Sequence, residues 1–179
     1  MSFCTLEDLA RRDFSPEAAA CVFHLHVPKA AGSTVDAYFL ENGYGMEQVS
    51  PLDAHWQVSL PAAGTKRLMA GHFRLNHPIF NFMSRPHMRV TMLREPVARM
   101  LSSYNFTLRH PEASWHQQIV SGAMEFTDFA AVTAQELGLQ YTYFDTTGDG
   151  CVVAPRGWSS AQACLENLLT EVTFYGIAE

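Results

Sequence analysis

The sequence predicts an α/β fold of three layers, a central parallel sheet flanked by helices. Two short apolar runs carry that expectation, residues 22–27 and 88–93, both rich in β-branched and long apolar side chains. Such runs suit strands covered on both faces. Each run also ends in a loop with a cation and then a helix start, and strands that alternate with helices imply parallel pairing. In a parallel sheet those loops sit at one edge, so two positive sites face one ligand there.

The bulk properties set bounds. The 179 residues suit a single domain spanning 1–179 with a real core. Hydrophobic residues make up 47% and charged ones 17%, which excludes a disordered chain. The formal net charge of −6 gives no general attraction for nucleic acid or anionic membrane. Any anion site must be local, and a heavily sulfated glycan is disfavoured as a substrate. Cys4, Cys21, Cys151 and Cys164 form no Cys-x-x-Cys pair, so neither a zinc knuckle nor a redox motif is expected. No run reaches membrane-spanning length, and residues 1–13 lack a signal-peptide core. The expectation is a cytoplasmic protein with reduced thiols.

Along the chain, residues 5–12 have helical character, with Leu6 and Leu9 on one side. Strand 22–27 follows, and Pro28 stops its ladder. A helix over 35–41 turns Val35 and Phe39 inward, with Tyr38 and Leu40 as further candidates, and stops at Asn42-Gly43. Residues 44–63 give no clear element. A short strand over 67–71 delivers His72 at the sheet's functional edge. Residues 76–83 are apolar but contain Pro78, which leaves a loop or a short helix. After strand 88–93, a helix runs over 97–109 with proline near its first turn. Val97, Leu101, Tyr104 and Leu108 recur at helical spacing as its core face, and Arg99 falls on the solvated side. A helix over 125–137, a turn-rich loop over 145–150, a helix capped by Ser159-Ser160 and a final strand over 172–177 complete the reading.

The chemistry concentrates in two motifs. The first is His26-Val27-Pro28-Lys29-Ala30-Ala31-Gly32-Ser33-Thr34. Gly32 permits a sharp turn or a close approach. Ser33 and Thr34 bring hydroxyls to a helix start, where capping oxygens are preferred. Free loop amides, the helix dipole and the Lys29 charge together form a phosphate or sulfate cradle. It is not a Walker A loop, because the lysine precedes the glycine. Taken alone, it is equally a capped helix with a surface lysine. The second motif is Leu93-Arg94-Glu95-Pro96-Val97-Ala98-Arg99-Met100-Leu101-Ser102-Ser103-Tyr104. An arginine fork at Arg94 and a hydroxyl at Ser102 two turns on can hold one phosphate from two directions. The plainer alternative is an Arg94–Glu95 surface pair.

In this order and spacing, the two motifs resemble those of the carbohydrate-type sulfotransferases, the family that includes the heparan sulfate 2-O- and 6-O-sulfotransferases. There a strand–Pro-Lys–loop binds the 5′-phosphosulfate, and a Leu-Arg-Asp-Pro-x-x-Arg-x-x-Ser-x-Tyr segment binds the 3′-phosphate. Here Glu95 replaces the usual Asp, and alanines stand where Thr and Gly are common. The resemblance spans residues 22–104 and extends to Phe174-Tyr175-Gly176-Ile177-Ala178-Glu179, which is similar to the family's Gly-hydrophobe-x-Glu segment.

The resemblance implies a P-loop nucleotide-kinase-like sulfotransferase core. It implies 3′-phosphoadenosine-5′-phosphosulfate (PAPS) as sulfuryl donor and no metal. The acceptor would be a hydroxyl-bearing carbohydrate or small molecule. Lys29 would then assist the leaving oxygen, amides of Ala30, Ala31, Gly32, Ser33 and Thr34 would hold the 5′-phosphate, and Arg94 with Ser102 the 3′-phosphate. His72 would be the base, a role a neutral histidine suits. His26 is a weaker candidate that braces the loop. It shares a sheet face with His24, too few ligands to expect a metal. Trp56, Phe73 and Trp115 are candidates for an acceptor pocket. A P-loop-like nucleotide kinase and a catalytically silent nucleotide-binding protein stay open as alternatives. Family members usually continue past this C-terminus, so the expectation is a domain lacking part of that region, either closed as a homodimer or monomeric with poor donor affinity.

Overall fold

The computed structural model describes residues 21–49, 67–72, 74–82, 87–136, 140–147 and 160–178. Five strands pair in parallel in the order β2-β3-β1-β4-β5. They are β1 (Cys21–Leu25), β2 (Met46–Val49), β3 (Leu68–Gly71), β4 (His87–Arg94) and β5 (Phe174–Ala178). The helices are α1 (Gly32–Glu41), α2 (Pro96–Arg109), α3 (His116–Val120), α4 (Phe126–Glu136) and α5 (Ala161–Glu171), with 3-10 turns at Pro78–Phe82 and Gln140–Phe144. The parallel α/β expectation therefore holds. The calls on residues 5–12, Cys4, Trp56, Phe73 and Cys151 lie outside the described residues.

β1 is central because every one of its residues is buried. Its side chains alternate between two cores. Cys21, Phe23, Leu25 and Val27 pack with Met69, Ile79, Tyr143, Phe144, Cys164 and Leu168. Val22 packs on the opposite side with Val35, Phe39, Leu68 and Val90, beneath α1. Thr91 of β4 sends its hydroxyl to the Leu25 carbonyl at 2.8 Å and so ties two strand ends together. The register aligns Leu25 with both Gly71 and Thr91, so the loops after β1, β3 and β4 emerge side by side. The chain turns one way in the sheet after β1 and the other way after β3. That switch point is where open α/β sheets place their ligands.

Three expectations need correction. No element is expected from the pattern of residues 44–63, yet β2 lies there and forms a sheet edge. The helix α2 is rotated from its apolar stripe: Val97 is 64% exposed, Leu101 48% and Leu108 38%, while Arg99, Met100 and Thr107 are buried. Its inner side meets a polar loop as well as α3 and α4, so polar side chains are drawn inward. Arg99 is thus no solvated face residue. It is 5% exposed, and its Nη1 donates to the Pro28 carbonyl at 3.4 Å. Burial lowers its pKa from the ordinary value, and neighbouring Tyr143 opposes that shift. Helix α3 had no sequence signal; its five residues lie against the third core of Met100, Ile119 and Phe129.

Candidate functional site

The loop between β1 and α1 has unusual backbone. Lys29 and Ala31 both occupy the left-handed region, at φ 64° and 62°. For residues with a Cβ this conformation costs roughly 1–2 kcal/mol each. Ala31 is the N-cap of α1 and brings no side-chain capping bond. Ser33 and Thr34 are therefore not caps, contrary to the sequence expectation; they sit in the first turn and line the cleft. A left-handed Ala31 followed by helical residues turns successive amides toward one concavity, an arrangement that binds anions. Ala30 does not contribute as expected. It is fully buried in the core, and its amide donates to the Val27 carbonyl at 3.3 Å.

Lys29, Arg94 and Ser102 come together over this loop in one cleft of about 670 Å³, with Ala31, Gly32, Ser33, Thr34 and His72. Arg94 continues from the end of β4, pinned by Gln140, whose Nε2 donates to the Arg94 carbonyl at 2.7 Å. Its Nη1 reaches the Lys29 carbonyl at 3.5 Å, and its Nε is buried with no partner among the described residues. The Lys29 ammonium lies 4.0 Å from the centre of the Phe106 ring, a cation–π contact, and Phe106 stacks in turn on His110. Burial and the neighbouring Arg94 charge both lower the Lys29 pKa. No ion pair holds Lys29 or Arg94 among the described residues. A bound anion would relieve that repulsion and satisfy the stranded Nε. Glu95 forms no surface pair with Arg94. Its carboxylate caps α2, accepting from Val97 N at 3.0 Å and Ala98 N at 2.6 Å, which holds its pKa below the usual carboxylate range.

Beneath the loop lies a network that the sequence only half revealed. His24 is fully buried, a costly place for a polar ring without a partner. Asp36, on the inward side of α1 one turn past Gly32, supplies it: His24 Nδ1 donates to Asp36 Oδ1 at 2.6 Å. His26 Nδ1 lies 3.6 Å from the other carboxylate oxygen, and its ring stacks on His24 at 5.3 Å. A Cβ at Gly32 would lie 2.0–2.7 Å from atoms of the His26 ring, so glycine is required here for close approach. The His26 pKa is lowered to about 4, by burial first, then by the His72 and His24 rings, with Asp36 opposing. His26 is accordingly neutral near pH 7 and a weaker proton acceptor than an ordinary imidazole. Asp36 was missed in the sequence; an acid among the apolar positions of a helix facing a His-x-His strand is the signal that would have found it.

His72 is held by that same residue. Its Nδ1 lies 2.6 Å from the His26 carbonyl. A carbonyl only accepts, so Nδ1 carries the hydrogen and neutral His72 keeps its lone pair on Nε2. Trp115 also lines the cleft while packing against the third core. It lies in the left-handed region at φ 73°.

A cationic loop after the central strand of a parallel sheet, an arginine from the neighbouring strand β4 and the His72 imidazole thus meet on one cleft. The chain belongs to the sulfotransferase family, which matches residues 17–148, well over half of its length. The α/β framework is thus a sulfotransferase core, and the chain falls among transferases that carry a sulfuryl group to an acceptor. No curated protein matches it. No described helix is long and apolar enough to cross a membrane.

Proposed function

We propose that the chain transfers a sulfuryl group from PAPS to a hydroxyl of a carbohydrate or small metabolite, without a metal, in the cytoplasm. The observation that carries this reading is the convergence of Lys29, Arg94, Ser102 and His72 on the cleft above the left-handed loop. The residues fit the donor. Two cations without a carboxylate partner among the described residues, a stranded Arg94 Nε and a left-handed loop at a helix start suit two phosphate groups better than one. When bound, the donor supplies a sulfuryl group already activated by its link to phosphate.

The chain's own residues would divide the work. Amides of Ala31, Gly32 and Ser33 hold the 5′-phosphate, joined by the Thr34 hydroxyl. Arg94 and Ser102 hold the 3′-phosphate and so select this donor over AMP or ATP. Lys29 places its ammonium at the leaving oxygen, where charge grows as the bond breaks. His72 Nε2 takes the acceptor's proton, with its ring fixed through Nδ1. The order of the two motifs supports a carbohydrate-type member of the family.

The test is thermal unfolding with 3′-phosphoadenosine-5′-phosphate against AMP. A ligand at ~100 times its Kd adds about 2.7 kcal/mol, roughly 5–10 °C for a chain of this size. The bisphosphate is expected to give that shift and AMP much less. Equal shifts would remove the donor assignment. His72→Ala should keep the shift while turnover falls; unchanged turnover would remove the base.

A further inference from the structure

The cleft has two unlike sides. Its cations, Lys29 and Arg94, both belong to the loop side, and both are engaged by the donor in the reading above. Every described residue that α2, α3, α4 and their connections contribute to the opposite wall is uncharged. Phe106 marks the boundary, since its ring already carries the Lys29 ammonium and stacks on His110. Trp115 also lines this side with Ala113 and the exposed Ser114, while Phe129 and Thr133 line it from buried positions, 2% and 4% exposed. Trp115 packs against the core of Met100, Ile119 and Phe129, and its carbonyl accepts from Ile119 N at 3.0 Å. Its left-handed backbone is a costly conformation for a bulky residue, and such strain collects where a ligand is held. The result is an uncharged side on which Trp115 is the accessible ring beyond Phe106, with the Ser114 hydroxyl next to it in the chain.

Resting on the sulfotransferase reading, we propose that the acceptor is an uncharged hydroxyl compound with a flat apolar or aromatic face, held against Trp115 on the uncharged side of the cleft. A ring or apolar face stacks there and gives up only water, while its hydroxyl reaches His72. A sulfated or carboxylated glycan would bring anions against a wall whose described residues offer no cation, and would be desolvated without compensation. The net charge of −6 opposes such an acceptor at longer range as well.

The experiment measures kcat/KM with PAPS for 2-naphthol, an uncharged alkyl glucoside and a sulfated disaccharide. At least one uncharged acceptor is expected to exceed the sulfated one by about tenfold or more. Trp115→Ala should raise KM for that acceptor by about tenfold while the bisphosphate-induced Tm shift is retained. Because Trp115 also packs in a core, a second variant is made at the exposed neighbour: Ser114→Arg should move the preference several-fold toward the sulfated disaccharide. Preference of the wild type for the sulfated disaccharide overturns the proposal. So does loss of the nucleotide shift in a folded Trp115→Ala, which would put the adenine on this wall. Nucleotide stabilisation without turnover of either uncharged acceptor overturns the acceptor class and leaves the donor reading intact. Absence of nucleotide stabilisation takes both down together.

Discussion

Acid sensitivity should be built into the brace under the loop, and His26 is where to look. Its pKa is about 4 in the folded chain against an ordinary 6.5, with burial the largest cause and the His72 and His24 rings next. Between those values the unfolded chain binds a proton that the folded chain refuses, so stability falls as pH falls. The contribution is whole above about pH 6.5 and is lost progressively toward pH 4. A gap of that size is worth about 3 kcal/mol at its limit, and about 2 kcal/mol is gone by pH 5. Urea unfolding at pH 7.5 and pH 5 measures the loss in the wild type and in His26→Gln. The variant keeps the backbone carbonyl that holds His72 but cannot titrate. Its pH-dependent loss should be smaller than the wild type's by about 2 kcal/mol. Equal losses in the two proteins would refute the argument and assign the acid sensitivity to other groups.

Other outcomes follow from the same geometry. Lys29→Ala should cut kcat by about 10²–10³ with a smaller effect on donor affinity, because charge on the leaving oxygen develops in the transition state. Arg94→Ala should do the reverse and weaken bisphosphate binding by about 10–100-fold, the worth of hydrogen bonds to a charged group; equal losses of affinity with unchanged saturated rates would sink this division of labour. Gly32→Ala forces a methyl into the His26 ring and should destabilise by about 1–3 kcal/mol, read by denaturant midpoint; a neutral result would mean the ring moves freely. Thr91→Val removes the buried bond to the Leu25 carbonyl and should cost about 1–3 kcal/mol, while nucleotide selectivity between bisphosphate and AMP is unchanged.

What was legible in the sequence was local. The strands β1 and β4 announce themselves as apolar runs, and Lys29, Arg94 and Ser102 sit at fixed offsets from strand ends. A parallel sheet then brings them to one edge. The rest depends on partners far away in the chain. Asp36 is legible only once α1 lies over β1 and meets His24. The face of α2 was misread because an apolar stripe is a guide only where the neighbouring surface is apolar, and this helix packs against a loop whose Pro28 carbonyl draws Arg99 inward. The left-handed turns at Lys29 and Ala31 carry no glycine to mark them. Only Gly32 was flagged, and its need is space for the His26 ring rather than a rare dihedral.

The adjacency of Lys29 and Arg94 reaches beyond catalysis. Two like charges packed at the head of a loop, with no carboxylate between them among the described residues, repel each other, and a bound anion would relieve that repulsion. Whatever anion sits there is therefore a structural component of the protein as much as a reactant. Purified preparations should age differently in phosphate or sulfate than in chloride. If the donor is PAPS, as proposed, its spent form keeps both phosphates and would protect the chain from unfolding and proteolysis in a cell as well as the fresh one does. The abundance of the protein would then follow the size of its nucleotide pool, and starvation for that nucleotide would remove the enzyme along with its substrate.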